Sequence, residues 1–321
     1  MPDNLGKPNV LLVGSGYMAR EYAKVLTALR INFQVAGRGE ENCKIFLEAY
    51  PGVKITSGGL EKLKLPDDCS HAIVASSVNA LFDNTRSLLK KGVTRILLEK
   101  PGGSTGREIG KLAAIVKEKR ATVLLAYNRR FYASVRKAKE CIEEDGGVLS
   151  YNFEFTEWPH TIETLAVPDK IKQHWFLANS THVVDTAFYL GGKPKKMTAI
   201  KNDSLDWHSS AAIFAGAGIT EKGSLFNYQA NWKSPGRWSI EMLTARRRLI
   251  LRPMEKLQIQ HHRSVFISEM EIDDQIDKDF KPGLFLQTKN FLAGEDQEFC
   301  TISDQRKMVK KYYNKIAGYS K

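Results

Sequence analysis

The 321-residue chain has only four cysteines, Cys43, Cys69, Cys141 and Cys300, far apart and with no C-x-x-C pair. That scarcity excludes a disulfide framework and a cysteine-based zinc site, and it suits reduced, scattered thiols in a cytoplasmic protein. No apolar run approaches the roughly 18 residues that argue a membrane span. The amino-terminal "MPDNLGKPNV" lacks the apolar core of a secretory leader. Nucleophile elbow, P-loop, zinc cluster, internal repeat and low-complexity segment are all missing. His261 and His262 form no metal site by spacing, because adjacent residues on a strand point to opposite faces.

What is present is ordinary for a soluble globular protein, 42% hydrophobic and 26% charged, over a length that predicts two domains. The net charge is +12, yet the basic residues are spread out, with only short clusters such as "ARRRL" and "MVKKYYNK". A solvated basic surface that mildly favours anionic small molecules fits this better than nucleic-acid or membrane binding.

Short apolar runs punctuate the first third: residues 9–14, 33–37, 71–76, 95–100 and 122–127. They read as strands buried on both faces. Between them, Met18, Tyr22, Val25, Leu26 and Leu29 share one helical face, and Ile109, Leu112, Ala113 and Val116 share another. Thr105 and Glu108 form a possible capping box at the start of the second helix. Strand–helix alternation of this kind predicts a parallel, doubly wound α/β sheet. After residue 150, "LSYNFEFTEW", "AAIFAGAG", "GSLFNYQANW", "WSIEMLTA" and "RRLILRPM" predict a largely antiparallel sheet with one face covered. A helix is expected through "STHVVDTAFYLGG", and a terminal one from Ser303 with Val309, Tyr312 and Ile316 on its stripe.

"GSGYMA", residues 14–19, follows the first strand and opens the first helix. In this pattern Gly14 makes the tight turn, Gly16 lets the backbone approach a pyrophosphate, and Ala19 allows close packing. The second strand ends in Gly37-Arg38-Gly39, with acids only at Glu40 and Glu41. Arg38 at this tip suits a 2′-phosphate, which favours NADP(H) over NAD(H). In "LLEKPGGS", Glu99 and Lys100 leave a strand at the carboxyl edge where doubly wound sheets bind ligands, and Pro101 biases Lys100 away from helix. Ser76, Ser77 and Asn79 occupy another such end.

Taken in order, "VGSGYMA", "EKPGG", "YNRRF" and "HVVDTAFYLGGKP" resemble the glucose-fructose oxidoreductase / inositol dehydrogenase / MocA family over nearly the whole chain. The resemblance implies a Rossmann domain over residues 1–125 and an α+β domain with a large, mostly antiparallel open sheet over 126–321, the helix 303–317 being free to dock back on the first domain. It implies catalysis by Lys100 and His182, with imidazole exchanging the proton of a reacting hydroxyl. Cofactor contacts are expected at Gly14, Ser15, Gly16, Tyr17, Met18, Arg38, Ser76, Ser77, Asn79, Glu99, Lys100 and Asn128, and substrate contacts at Arg129, Trp175, Asn179 and His182. Asp185, one helical turn past His182, is expected to support that helix.

One departure matters. Many dehydrogenases of this family carry an acid four residues before the histidine, where this chain has Ala178. The expected function is NADP(H)-dependent hydride transfer at a hydroxyl or keto carbon of a sugar-like, nucleotide-linked or amino-sugar substrate. The alternatives are a non-catalytic NAD(P)-binding regulator and an enzyme that keeps its cofactor for a transient oxidation. A homo-oligomer, dimer or tetramer, is expected through the second sheet. Phe226, Tyr228 and Trp232 suit such a face and equally suit burial under helices.

Overall fold

The computed structural model describes residues 9–65 and 69–319. Most of the amino-terminal segment read above as lacking a leader therefore lies outside the described residues. The chain begins β1 (Asn9–Val13), α1 (Tyr17–Ala28), β2 (Phe33–Ala36), α2 (Glu40–Ala49), β3 (Lys54–Thr56), β4 (Cys69–Val74), α3 (Leu81–Lys90), β5 (Arg95–Leu98), α4 (Gly106–Glu118) and β6 (Thr122–Leu125). Next come α5 (Ala133–Glu144), β7 (Ser150–Glu154), the short α6 (Pro159–Glu163) and α7 (Asp169–Lys172), and α8 (Thr181–Gly191). Strands β8 (Pro194–Asn202), β9 (Ile213–Thr220), β10 (Leu225–Asn231), β11 (Ser239–Leu243), β12 (Arg247–Leu251), β13 (Gln258–His261) and β14 (Ile267–Glu269) follow, then α9 (Gln275–Asp279). The chain closes with α10 (Leu284–Ala293), β15 (Cys300–Thr301), α11 (Ile302–Met308) and α12 (Asn314–Ala317).

These elements form two compact units. The first joins the chain up to Tyr127 with Leu284–Lys307, and the second joins Asn128–Gly283 with the chain from Met308. The first unit's sheet has the order β15-β6-β5-β4-β1-β2-β3, parallel except for β15. Val10, Leu11 and Leu12 are all fully buried, as consecutive residues must be when helices cover both faces. The segment 284–307, assigned to the second domain from sequence, packs in the first unit. Its physical hold is clear: β15 adds to the β6 edge, α10 lies on α1, and Arg95 of β5 pairs bidentately with Asp296 at 2.7 and 3.1 Å. Residues 309–317 belong to the second unit, where α12 packs on β8.

The second unit holds an eight-stranded sheet, β14-β13-β12-β11-β7-β10-β9-β8, antiparallel except where β7 meets β10. On its inner face Tyr151 and Phe153 of β7 stack on Phe226 and Tyr228 of β10, with centroids 5.4 and 5.3 Å apart. Phe188 of α8 meets Phe153 and Phe226 edge-on at 5.5 Å, an arrangement aromatic pairs favour. Phe226, Tyr228 and Trp232 are 3%, 3% and 1% exposed, so of the two roles their spacing allowed they take burial and cannot form an oligomer face. No helix among the described residues is long and apolar enough to cross a membrane.

Candidate active site

In the first unit, β1 lies between β2 and β4, so the strand order reverses there and opens a crevice at the carboxyl ends. Gly14 leaves β1 at φ +121°, and a Cβ on it would overlap the Ala75 carbonyl oxygen at the end of β4. Gly14 is therefore required by both conformation and space. Gly16 caps α1 with nothing within 4 Å of where its Cβ would lie. The helix has no side-chain cap and no acid in its first turn, so its leading N–H groups and dipole suit an anion in that space. These residues fit the pyrophosphate of a dinucleotide. Ser15 is buried, Tyr17 is exposed, and Met18 is half-buried behind the turn. Arg38 stands exposed beyond β2. Past β4, the Ser76 hydroxyl accepts from Asn84 Nδ2 at 3.0 Å, while Ser77 and Asn79 face outward.

The Glu-Lys-Pro turn after β5 is fastened by residues distant in sequence. The Tyr22 hydroxyl of α1 donates to Glu99 Oε1 at 2.9 Å and lies 3.3 Å from Gln287 Oε1 of α10. Burial, with the Glu99 charge beside it, holds the Tyr22 phenol well above its ordinary pKa, so it remains a donor. Gln305 of α11 donates through Nε2 to the Pro101 carbonyl at 3.2 Å and to the Tyr127 hydroxyl at 2.8 Å. Lys100, half-buried, is thus carried on a turn anchored on both sides. Sequence reasoning missed Gln305, since no local pattern marks partners so far apart.

The second unit contains a cavity of about 290 Å³ lined by Arg129, Glu157, Trp158, Trp175, Asn179 and Trp238, among others. Ligand pockets typically span about 300–1,000 Å³, so this one is of single-ring size. The Arg129 guanidinium lies 4.7 Å from the Trp238 ring centroid, in cation–π range. Two buried donors at its wall, Arg129 Nε and Trp175 Nε1, have no hydrogen-bond partner among the described residues. His182, 8% exposed, sits in the first turn of α8 with its ring 6.2 Å from Trp238. Arg129, Trp175 and Asn179 thus share one cavity, with His182 next to its wall. Asn128 instead donates to the Pro282 carbonyl at 3.0 Å. Asp185 supports α8 by accepting from Arg130 Nε and Nη2, both at 2.7 Å.

A π-turn over Phe176–Ser180 leads into α8. It aims Asn179 and Ser180 together at Glu157, which is 6% exposed. Asn179 Nδ2 donates to the two Glu157 oxygens at 3.2 and 3.0 Å, and Ser180 Oγ donates at 2.6 Å. Glu157, Trp158 and Trp238 were not singled out from sequence. Glu157 had a signal, since it continues the inward alternation of Tyr151, Phe153 and Phe155. Among the described residues, no cluster of three or more His, Cys, Asp or Glu side chains could hold a metal ion.

Residues 8–127 match the GFO_IDH_MocA model, described as an oxidoreductase family with an NAD-binding Rossmann fold. Over these residues the chain is similar to the NAD-binding domain of that family. Levoglucosan dehydrogenase of Pseudarthrobacter phenanthrenivorans is 26% identical over 207 residues, 60% of this chain and 53% of that protein. The match thus spans about half the length of that relative. Among solved structures, a levoglucosan dehydrogenase in complex with NADH and L-sorbose superposes with a TM-score of 0.77 at 16% identity, covering 97% of this chain and 96% of that one. UDP-N-acetylglucosamine 3-dehydrogenase from Acidithiobacillus ferrooxidans gives 0.71 at 13% identity, covering 97% and 98%. At these identities the likeness is one of fold.

Proposed function

We propose that this protein is an NADP(H)-dependent oxidoreductase of the Gfo/Idh/MocA kind, acting on a hydroxyl or keto carbon of a sugar-like substrate. The observation that carries this reading is the pairing of two kinds of site in one chain. The first unit has an uncapped helix terminus beyond Gly14 and Gly16, and the second has a single-ring cavity walled by three indoles. Indole faces pack on the C–H faces of a sugar ring, and the donors around them serve its hydroxyls. When bound, the nicotinamide supplies the hydride acceptor or donor. Residues Gly14–Met18 would bind its pyrophosphate, and the exposed Arg38 would bind a 2′-phosphate. Lys100 would polarise the reacting oxygen. His182 would take the hydroxyl proton in oxidation and return it in reduction.

The experiment is a steady-state assay following reduced-nicotinamide absorbance, with NADP⁺ and NAD⁺, on levoglucosan, L-sorbose and UDP-N-acetylglucosamine. The expected outcome is turnover with a higher kcat/KM for NADP⁺, and a loss of about 10²–10⁴-fold in kcat for His182→Ala. Unchanged turnover in that variant would remove His182 from the mechanism, and a preference for NAD⁺ would remove Arg38 from phosphate binding. Ala178, buried where the family acid is expected, favours a second reading as a non-catalytic cofactor-binding regulator. That reading expects tight NADPH binding with no turnover of any sugar.

A further inference from the structure

Two short basic runs have no part in the reaction above: Arg246-Arg247-Arg248 and His261-His262-Arg263. The sheet of the second unit brings them together. β12 and β13 are neighbours, with Arg247 opposite His261, and the His262 N–H donates to the Arg246 carbonyl at 2.8 Å. A cavity of about 290 Å³ lies here, lined by Arg247, Arg248, His261, His262 and Arg263 among others and by no carboxylate. It sits at the Leu243 end of β11, whereas Trp238 of the cavity described above precedes the other end.

The arginines are of two kinds. Arg247 is balanced by Asp145, through two bonds of 2.7 Å, and by Glu144. Arg248 is likewise paired with Glu241. These two are fixed walls, oriented by acids that do not line the cavity. Arg246 and Arg263 are exposed, and among the described residues neither takes part in an ion pair. The turns that carry them are tied locally. Thr244 Oγ1 accepts from the Arg246 and Arg247 N–H groups at 3.2 and 3.0 Å, and Gln260 Nε2 donates to the Ser264 carbonyl at 2.9 Å.

Two guanidinium groups held on adjacent turns without counter-charge repel each other, and an anion joining them removes that cost. Guanidinium groups pair with carboxylates and phosphates alike. Donors converging from two turns favour the phosphoryl group, which offers three acceptor oxygens where a carboxylate offers two. We propose that this cavity binds the phosphoryl group of a phosphate monoester, with Arg246 and Arg263 as its charged ligands. The site does not depend on the oxidoreductase reading.

The test uses the full chain with carbon-13 in its histidine rings, at neutral pH and low salt. Inorganic phosphate and glycerol 3-phosphate are titrated, and the His261 and His262 signals are assigned by His261→Gln and His262→Gln. Both signals should shift and saturate at or below about 1 mM ligand, while those of the other histidines stay in place. Arg246→Gln with Arg263→Gln should weaken this binding at least about tenfold. Lys111→Gln with Lys117→Gln, a pair of exposed lysines on α4, should leave it unchanged. Should the arginine pair unfold, either single variant is expected to weaken binding by about threefold or more.

Vesicles distinguish the source of the phosphoryl group. Val265 and Phe266, 95% and 73% exposed, follow Arg263 closely and would suit a lipid surface. Sedimentation with phosphatidylcholine vesicles containing phosphatidate, but not with phosphatidylcholine alone, and its loss in the arginine variant would assign a lipid headgroup. A response to the soluble esters alone would assign a free ligand. No shift of either imidazole and no sedimentation, a shift that grows without saturating, or equal loss in the arginine and lysine variants overturns the proposal.

Discussion

His208 shows what burial does to a single side chain. Its Nδ1 lies 2.6 Å from the Ala211 carbonyl oxygen and its Nε2 lies 2.9 Å from the Tyr319 hydroxyl. The carbonyl requires Nδ1 to donate, and in the neutral ring Nε2 then accepts from the Tyr319 hydroxyl. Burial lowers its pKa to about 4. Above pH ~6.5 neither the folded nor the unfolded form is protonated, and the full stability is present. Between pH ~6.5 and ~4 the unfolded chain binds a proton that the folded form refuses, so stability falls by up to about 3 kcal/mol. Urea unfolding at a series of pH values should show this slope, and His208→Gln should lack it. This histidine was not legible from sequence as structural, because Trp232 and Tyr319, which enclose it, are brought in by folding. The placement of Gly14, Gly16 and Lys100 just past a strand was legible because each strand is a clear apolar run.

The start of α4 illustrates the scale of elements. The Thr105 hydroxyl accepts from the Glu108 N–H at 3.3 Å, and Glu108 Oε2 accepts from the Ser104 N–H at 2.7 Å. The expected capping box is thus made with its return bond shifted one residue toward the amino terminus. Thr105→Ala should lower stability by about 0.5–2 kcal/mol, read from the denaturation midpoint at unchanged m-value. The five apolar runs of the first third all became strands, and α4 buries the four residues its periodicity selected. The two-residue β15 and the three-residue β3 and β14 gave no pattern, being too short for alternation to register. Near the carboxyl terminus a π-turn over Val309–Tyr313 advances the register by one residue. Tyr313, not Tyr312, is therefore buried, at 1% exposure, and Tyr312 donates its hydroxyl to the Pro194 carbonyl.

At the scale of the whole molecule, the first unit depends on the segment 284–307. Leu284 and Phe291 are fully buried there, each burial stabilising by about 1.5–3 kcal/mol, and Gln305 holds the Pro101 carbonyl of the turn that carries Lys100. A chain ended at Gly283 is expected to unfold at lower temperature by calorimetry and to lose NADPH binding. A variant that kept both would show that the Gln305 contact at Pro101 is dispensable for the cofactor. The polypeptide passes between its units at three places, after Tyr127, after Gly283 and after Lys307. Exchange of the second lobe with that of a relative would thus have to preserve three seams, not one. Genetic shuffling by a single crossover would sever a lobe from its own returning strand, so new specificities are more accessible by point replacement within the pocket than by swapping modules.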